Sequence, residues 1–366
     1  MILRNLLISF FVGIVAFLCF QTEVNAQNEQ NLLEGDVVRI IESETVVQDD
    51  FTYDIQTLEI KVTKGLYVGR TIQVENNTVS KVQNPVLYSV GDSLVIMHSI
   101  DWEGNDLFFI TDFVRRGSLL ILFALFVFLS ILIGGVWGLA SLVGMGISFA
   151  VILLYILPQI INGANPIMVA IVGSMFIIPV TFYLSHGFSK KTHVAVVGTL
   201  VALFITGMLA LYFVTLTHLT GYSSEEASFL SYQQPGLINM QGLLLAGIII
   251  GTLGILDDIT ISQASIVSEL VLANNKMSQY EIFTRAMRVG RDHISSLINT
   301  LFLVYTGASL PLLLLFYGNN ASFYDLINIE LIADEVVRTL VGSMGLILAV
   351  PITTLLASYA FRCRST

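Results

Sequence analysis

The chain has 366 residues, 55% of them hydrophobic and only 12% charged, with a mean hydropathy of +0.79. Soluble domains carry about 25% charged residues, so an ordinary soluble fold is excluded. A formal net charge of −10 excludes nucleic acid as a partner, since phosphate backbones are held by clustered Lys and Arg, and the two cysteines, Cys19 and Cys363, supply no disulfide framework, zinc pattern or haem motif.

The first 26 residues read as a secretory signal. Arg4 supplies the positive start, 6–20 the apolar stretch, and Val24, Asn25 and Ala26 a small-residue cleavage site, placing the mature start near Gln27. An uncleaved anchor is the alternative, and on either reading the next segment is exported. Residues 27–116 then form a small β domain. Runs at 37–41, 57–62, 71–74, 93–97 and 107–110 are rich in β-branched and aromatic residues. Gly65, Asn76-Asn77, Gly91-Asp92 and Gly104-Asn105 mark turns between them. Five short strands in this length predict an OB-like barrel.

Residues 117–366 predict a polytopic α-helical membrane domain. Seven apolar runs are each long enough to cross a bilayer: 118–136, 139–158, 167–185, 194–216, 237–256, 294–316 and 336–361. Only Trp137 and Gly138 separate the first two, which predicts a tight hairpin. With the β domain outside, the inner loops and tail hold Lys190, Lys191, Lys276, Arg285, Arg288, Arg291, Arg362 and Arg364. The outer loops 159–166, 217–236 and 317–335 hold no Lys or Arg, the asymmetry that sets orientation in membranes. Glycine and alanine pairs at Gly134/Gly138, Gly198/Ala202 and Gly247/Gly251 predict close helix packing. Pro179, Pro311 and Pro351 fall inside spans and free backbone carbonyls there.

Ionisable residues against the membrane are costly and mark candidate sites. Asp257 and Asp258 follow directly on the fifth run, and helical spacing from Asp258 places Ser262, Ser265 and Glu269 on one face. Residues 257–293 therefore read as a cytoplasmic amphipathic segment. Two adjacent carboxylates hold a cation or share a proton. Equally, Thr260 to Gln263 has the form of a capping box, for which nearby acids favour a helix N-terminus. A second capping box runs from Ser278 to Glu281. Beyond it Asp292, Ser296 and Asn299 share a face, and Thr300, Tyr305 and Ser309 continue up the sixth span. Such a polar seam faces other helices or water, either as a ligand-bearing surface or as hydrogen-bonding glue. His293 stands alone, which fits an interfacial residue better than a metal ligand. No phosphate-binding loop, zinc-protease motif or nucleophile–base pair is present, so neither a cofactor nor an enzyme is expected.

Gly251, Gly254 and Asp257, then Gly290, Arg291 and Asp292, Asn299 to Leu301, Tyr305 and Ser309 to Pro311, on this architecture, are similar to the YibE/F family of bacterial membrane proteins. The resemblance covers most of the mature chain. It implies a multi-pass protein of the cytoplasmic membrane with an exported domain, and it implies no particular activity. The leading functional expectation is a permease-like protein for a small solute or ion. Asp257, Asp292 and Asn299 would line its route, with Asp258 and Glu269 near the inner mouth. The alternative is a non-enzymatic scaffold or sensor whose exported domain binds an envelope protein, or that acts as a homo-oligomer. The first four spans offer few polar residues, among them Ser148, Ser174, Thr181, Thr199 and Thr206, which weighs against a deep ion pathway.

Overall fold

A computed structural model describes residues 32–48, 51–79, 87–317 and 322–362; the signal expected over 1–26 lies outside them. The chain divides into two compact units, Met1–Ile133 and Gly134–Thr366.

The first unit contains one antiparallel sheet of strands β1 (Leu32–Gln48), β2 (Phe51–Lys64), β3 (Thr71–Val79), β4 (Ser93–Ile100) and β5 (Asp106–Phe113), in the order β3-β2-β1-β4-β5. Alternation sorts its faces: Leu94, Ile96 and His98 of β4 point inward and are buried. Leu94 and Ile96 join a core with Val37, Leu58, Ile60 and Val74. Among the described residues no hydrogen-bonded ladder joins β3 to β5, although the two strands approach each other, so the sheet curls into a half-barrel rather than the closed barrel expected. Gly65, Gly91 and Gly104 do turn the chain, with φ of 109°, 97° and 90°. Asn76 and Asn77 do not: they lie inside β3, opposite Gln56 and Ile55. The ends of β1 and β2 pair from Glu42 to Gln48 and from Phe51 to Thr57, extending well beyond the runs read from sequence. The polar sequence there carries no alternating apolar signal.

Helix α1 (Arg116–Val151) continues through a π-helical turn at Ile152–Ile156 into α2 (Leu157–Ile161). The wide turn precedes Pro158, whose missing N–H breaks the regular ladder. The stretch Arg116–Ile161 is 46 residues of apolar helix. The hairpin expected at Trp137-Gly138 is absent from those residues, which are helical. The break falls earlier, at Gly135, with φ 55° and ψ −133°. Only a residue without Cβ adopts that conformation at little cost, and the break coincides with the boundary between the units.

The second unit adds α3 (Pro166–His186), α4 (Lys190–Leu216), α5 (Glu225–Gln233), α6 (Met240–Ala273), α7 (Gln279–Ala308), α8 (Leu310–Tyr317), α9 (Phe323–Leu326) and α10 (Glu330–Arg362). Side-chain oxygens of Asn165, Ser189, Ser224, Asn239 and Ser278 cap α3 to α7. At α7 the expected Ser278–Glu281 capping box is complete in both directions. The described residues hold five helical stretches long and apolar enough to cross a membrane: Arg116–Ile161, α3, α4, α6 and Glu330–Phe361 of α10. The sixth expected span is divided between α7 and α8, with the break at Ser309, two residues before Pro311.

Helices α4, α6 and α10 pack tightly at the centre, with α3 against α6 and α7 against α10. Apolar chains offer helices in lipid no hydrophobic drive to associate, so packing rests on close approach and hydrogen bonds. Both are present. Gly198 of α4 lies so near α10 that a Cβ there would stand 2.5 Å from Thr353 Oγ1. Gln263 Nε2 donates to Thr354 Oγ1 at 2.8 Å and to the Ala286 carbonyl at 3.1 Å, tying α6 to α10 and α7. The close packing expected at the Gly198/Ala202 pair is therefore realised at Gly198, and Ala202 is fully buried. Gly134, Gly247 and Gly251 instead have no atom within 4 Å of the place a Cβ would take.

Candidate functional site

Asp257 is mid-helix. Helix α6 runs unbroken from Met240 to Ala273, because buried Leu256, Ile259, Ala264 and Val267 continue its apolar period past the acids. The segment from Asp257 to Ala273 is thus part of the long helix rather than a separate amphipathic one. The capping role for Thr260 and Gln263 falls with it: both are fully buried and bond to other helices.

Asp257 opens into a cavity of about 410 Å³ between the second half of α1, α3 and α6. Ser141, Gly144 and Ser148 line it from α1, Thr181, Ser185 and His186 from α3, and Gly254, Asp257 and Asp258 from α6. The spacings of four residues between Gly144 and Ser148, and between Thr181 and Ser185, put each pair on one helix face. Asp257 Oδ1 is buried and accepts no hydrogen bond among the described residues. Asp258 beside it is exposed. Ser148 Oγ donates to the Gly144 carbonyl at 3.1 Å and Thr181 Oγ1 to the Ile177 carbonyl at 2.9 Å. Their protons are spent on their own helices, which leaves oxygen lone pairs for the cavity. Ser141 Oγ donates to Ser185 Oγ at 3.3 Å, joining α1 to α3. His186 ends α3 within electrostatic reach of both Asp258 and Lys191. The cavity therefore presents carboxylate and hydroxyl oxygens, a donor set for a hard cation or a protonated group.

The other residues singled out from sequence lie elsewhere. Ser262 is half-buried on α6, and Glu269 is exposed three turns beyond Asp257. Asp292, Asn299 and Thr300 are exposed on α7, where Thr300 Oγ1 donates to the Ser296 carbonyl at 3.0 Å. None of them lines the cavity, so the polar route expected to include Asp292 and Asn299 is not assembled in it. Tyr305 is half-buried beside Gly342 of α10, within electrostatic reach of Glu335 and Arg338. There Arg338 pairs with Asp334 at 3.3 Å and Glu335 at 3.4 Å, and Asp334 accepts from Ser223 at 3.0 Å. The sequence reading missed Ser141, Ser185 and His186. The four-residue spacing of Thr181 to Ser185, ending beside a histidine and two lysines, was the available signal.

A second cavity, of about 330 Å³, lies between α3, α4 and α6 and is lined by apolar residues such as Met175, Phe204 and Ile249. It offers no group to bind a polar ligand.

Long apolar helices, a core joined by threonines and glycines, and an acid in a polar cleft define a polytopic helical membrane protein. The profile of YibE/F-like proteins matches residues 122–363, and the chain belongs to that family. No curated protein and no solved structure matches it.

Proposed function

We propose that the protein is a permease for a small solute or ion of cationic character, with Asp257 as the group that binds it. One observation carries this reading: Asp257 lines a polar cavity within otherwise apolar helices, and its Oδ1 is buried without a partner among the described residues. An ionisable group in that setting is costly to fold around and is retained where a ligand or proton neutralises it. The cavity lies at the end of the unit that bears Lys190 and Lys191, which the positive-inside rule assigns to the cytoplasm.

The test is flux by the purified full-length protein in liposomes, across a panel of protons, alkali cations and small amines. Wild type should move at least one of them. Asp257→Asn, nearly isosteric, should insert normally and lose that flux, while Glu269→Gln, three turns away and exposed, should keep it. A folded wild type that moves none of the panel would sink the proposal.

A second reading, that the exported domain docks an envelope protein, has its own support. Leu66, Val68, Ile100 and Trp102 are exposed at one end of the sheet, with Trp102 91% exposed. The strand pairing of Phe113 with Leu94 places the exit toward α1 at the opposite end. Exposed apolar tips of this kind mark contact surfaces. Trp102→Ser with Leu66→Ser in the full chain should abolish co-purification of such a partner and leave liposome flux unchanged.

A further inference from the structure

Helix α7 carries a polar stripe on the face it does not pack. Its buried residues, Ile282, Ala286, Gly290 and Leu301, mark the side turned to the bundle. Gly290 lies so close that a Cβ there would stand 2.6 Å from Val350 and 2.8 Å from Gln263. A helix turns about 100° per residue, so the opposite side carries Arg285, Arg288, Asp292, Ser295 and Asn299, all of them exposed. Among the described residues, no ion pair engages Arg288 or Asp292, and no hydrogen bond engages the Asn299 amide. Yet Asn299 sits five residues inside the apolar run that begins at Ile294. Facing acyl chains, its amide would have no partner at all.

We infer that a second copy of the chain docks on this stripe, α7 against α7 about a two-fold axis along the membrane normal. Asparagine is self-complementary, since its amide both donates and accepts, so two copies facing across the axis satisfy each other. The charges complement themselves as well. Arg288 precedes Asp292 by one helical turn, about 6 Å, an offset the long arginine side chain spans, so across a parallel pair each copy's Arg288 reaches the other copy's Asp292. Ser295 is small enough to let the two backbones approach there. The stripe joins both signs of charge and an amide in one line, which suits a copy of itself better than lipid.

Disulfide trapping in membranes tests this, in a chain with Cys19 and Cys363 changed to serine. Asn299→Cys and Ser295→Cys should each give a dimer-sized covalent product on oxidation. Leu355→Cys, on an exposed face of α10, should give none. Counting chains per particle in lipid nanodiscs should give two, and Asn299→Leu should weaken that association about threefold or more, the average for a hydrogen bond between membrane helices. One chain per particle overturns the inference. So does a dimer that neither Asn299→Cys nor Ser295→Cys traps, or equal trapping in Leu355→Cys, which would be random collision. Trapping reads the interface whether or not any solute moves, so its result is separable from that of the liposome assay.

Discussion

Thr199 and Thr260 meet hydroxyl to hydroxyl at 2.6 Å in the buried centre of the helical unit. Each also reaches a carbonyl of its own helix, Thr199 that of Ala195 at 2.9 Å and Thr260 that of Asp257 at 3.2 Å. Two protons serve three contacts, so one hydroxyl serves both its helix and its neighbour. The pair fixes the rotation of α6 one turn from Asp257, and with it the direction in which Asp257 points. Thr199→Val and Thr260→Val should each lower stability by about 0.6 kcal/mol, the average for such bonds in membrane proteins. The double variant should cost less than the sum, because the first substitution already removes the shared bond. Thermal unfolding in detergent checks this; strictly additive losses would mean the contact carries no energy.

Close approach is testable at two glycines of the same bundle. Gly198→Ala places a methyl 2.5 Å from Thr353 Oγ1 and 3.3 Å from Thr353 Cβ, and a threonine branched at Cβ has little freedom to withdraw. The expected cost is about 1–3 kcal/mol. Gly251→Ala meets nothing within 4 Å and replaces the weakest helix former after proline, so it should be neutral or stabilising by up to about 1 kcal/mol. Melting temperatures of the two variants should fall on opposite sides of wild type or with Gly251→Ala equal to it. The reverse order would mean α4 and α10 do not pack as described.

What could be read from sequence divides along physical lines. A cap is local, so Ser278 and Glu281 declare themselves three residues apart. A polar residue inside a bundle is not local: Thr260 and Gln263 have the spacing of a cap, but their partners, Thr199 and Thr354, lie 61 and 91 residues away. Asp257 was legible because a carboxylate beside an apolar run is conspicuous whatever surrounds it. His186 was not, because it acquires meaning only when α6 brings Asp258 near. In the sheet, runs of β-branched and aromatic residues located all five strands. Asn76 and Asn77 misled because a turn-favouring composition pairs without difficulty in an edge strand, where packing decides β preference.

The β sheet should be acid-sensitive through Asp106. Its carboxylate takes hydrogen bonds from His98 Nε2 at 2.7 Å and Tyr67 Oη at 2.9 Å. These contacts, that from His98 foremost, hold it below the usual carboxylate range, against a smaller opposing effect of burial. A depressed folded-state value stabilises the fold above the unfolded value of about 3.9, and that stability is lost as pH falls through the folded value. The Asn105 amide and the Arg115 guanidinium act in the same direction on Asp101 and Asp112. Tyr67 moves oppositely: the bond to Asp106 raises it, so its share is lost only in strong alkali. Protection of the β4 and β5 amides in the full chain, taken relative to the intrinsic exchange rate at each pH, should stay high at neutral pH and fall below about pH 4. In Asp106→Asn the acid sensitivity should shrink and exchange at neutral pH should rise. An unchanged pH profile would mean the Asp106 contacts do not contribute.

The number of crossings decides which side of the membrane Asp257 faces, and it can be settled by reporter fusions. Five helical stretches qualify as spans by length and composition, Arg116–Ile161 counting once. Forty-six helical residues measure about 69 Å, roughly twice a bilayer core of about 30 Å, and Gly135 breaks them near the middle. Two crossings there are the better fit. The break of the sixth apolar run at Ser309 likewise leaves α7 and α8 together long enough to cross, although the polar stripe dilutes the hydropathy of α7. With the β domain outside, seven crossings put fusions after Lys191, Glu226 and Lys276 inside, outside and inside. Five crossings reverse all three. The distribution of Lys and Arg favours seven, since these lysines, with Arg285, Arg288 and Arg291, then lie on the cytoplasmic side. The expected reading is in, out, in. The opposite pattern would place the Asp257 cavity at the external face and reverse the direction from which a cation reaches it.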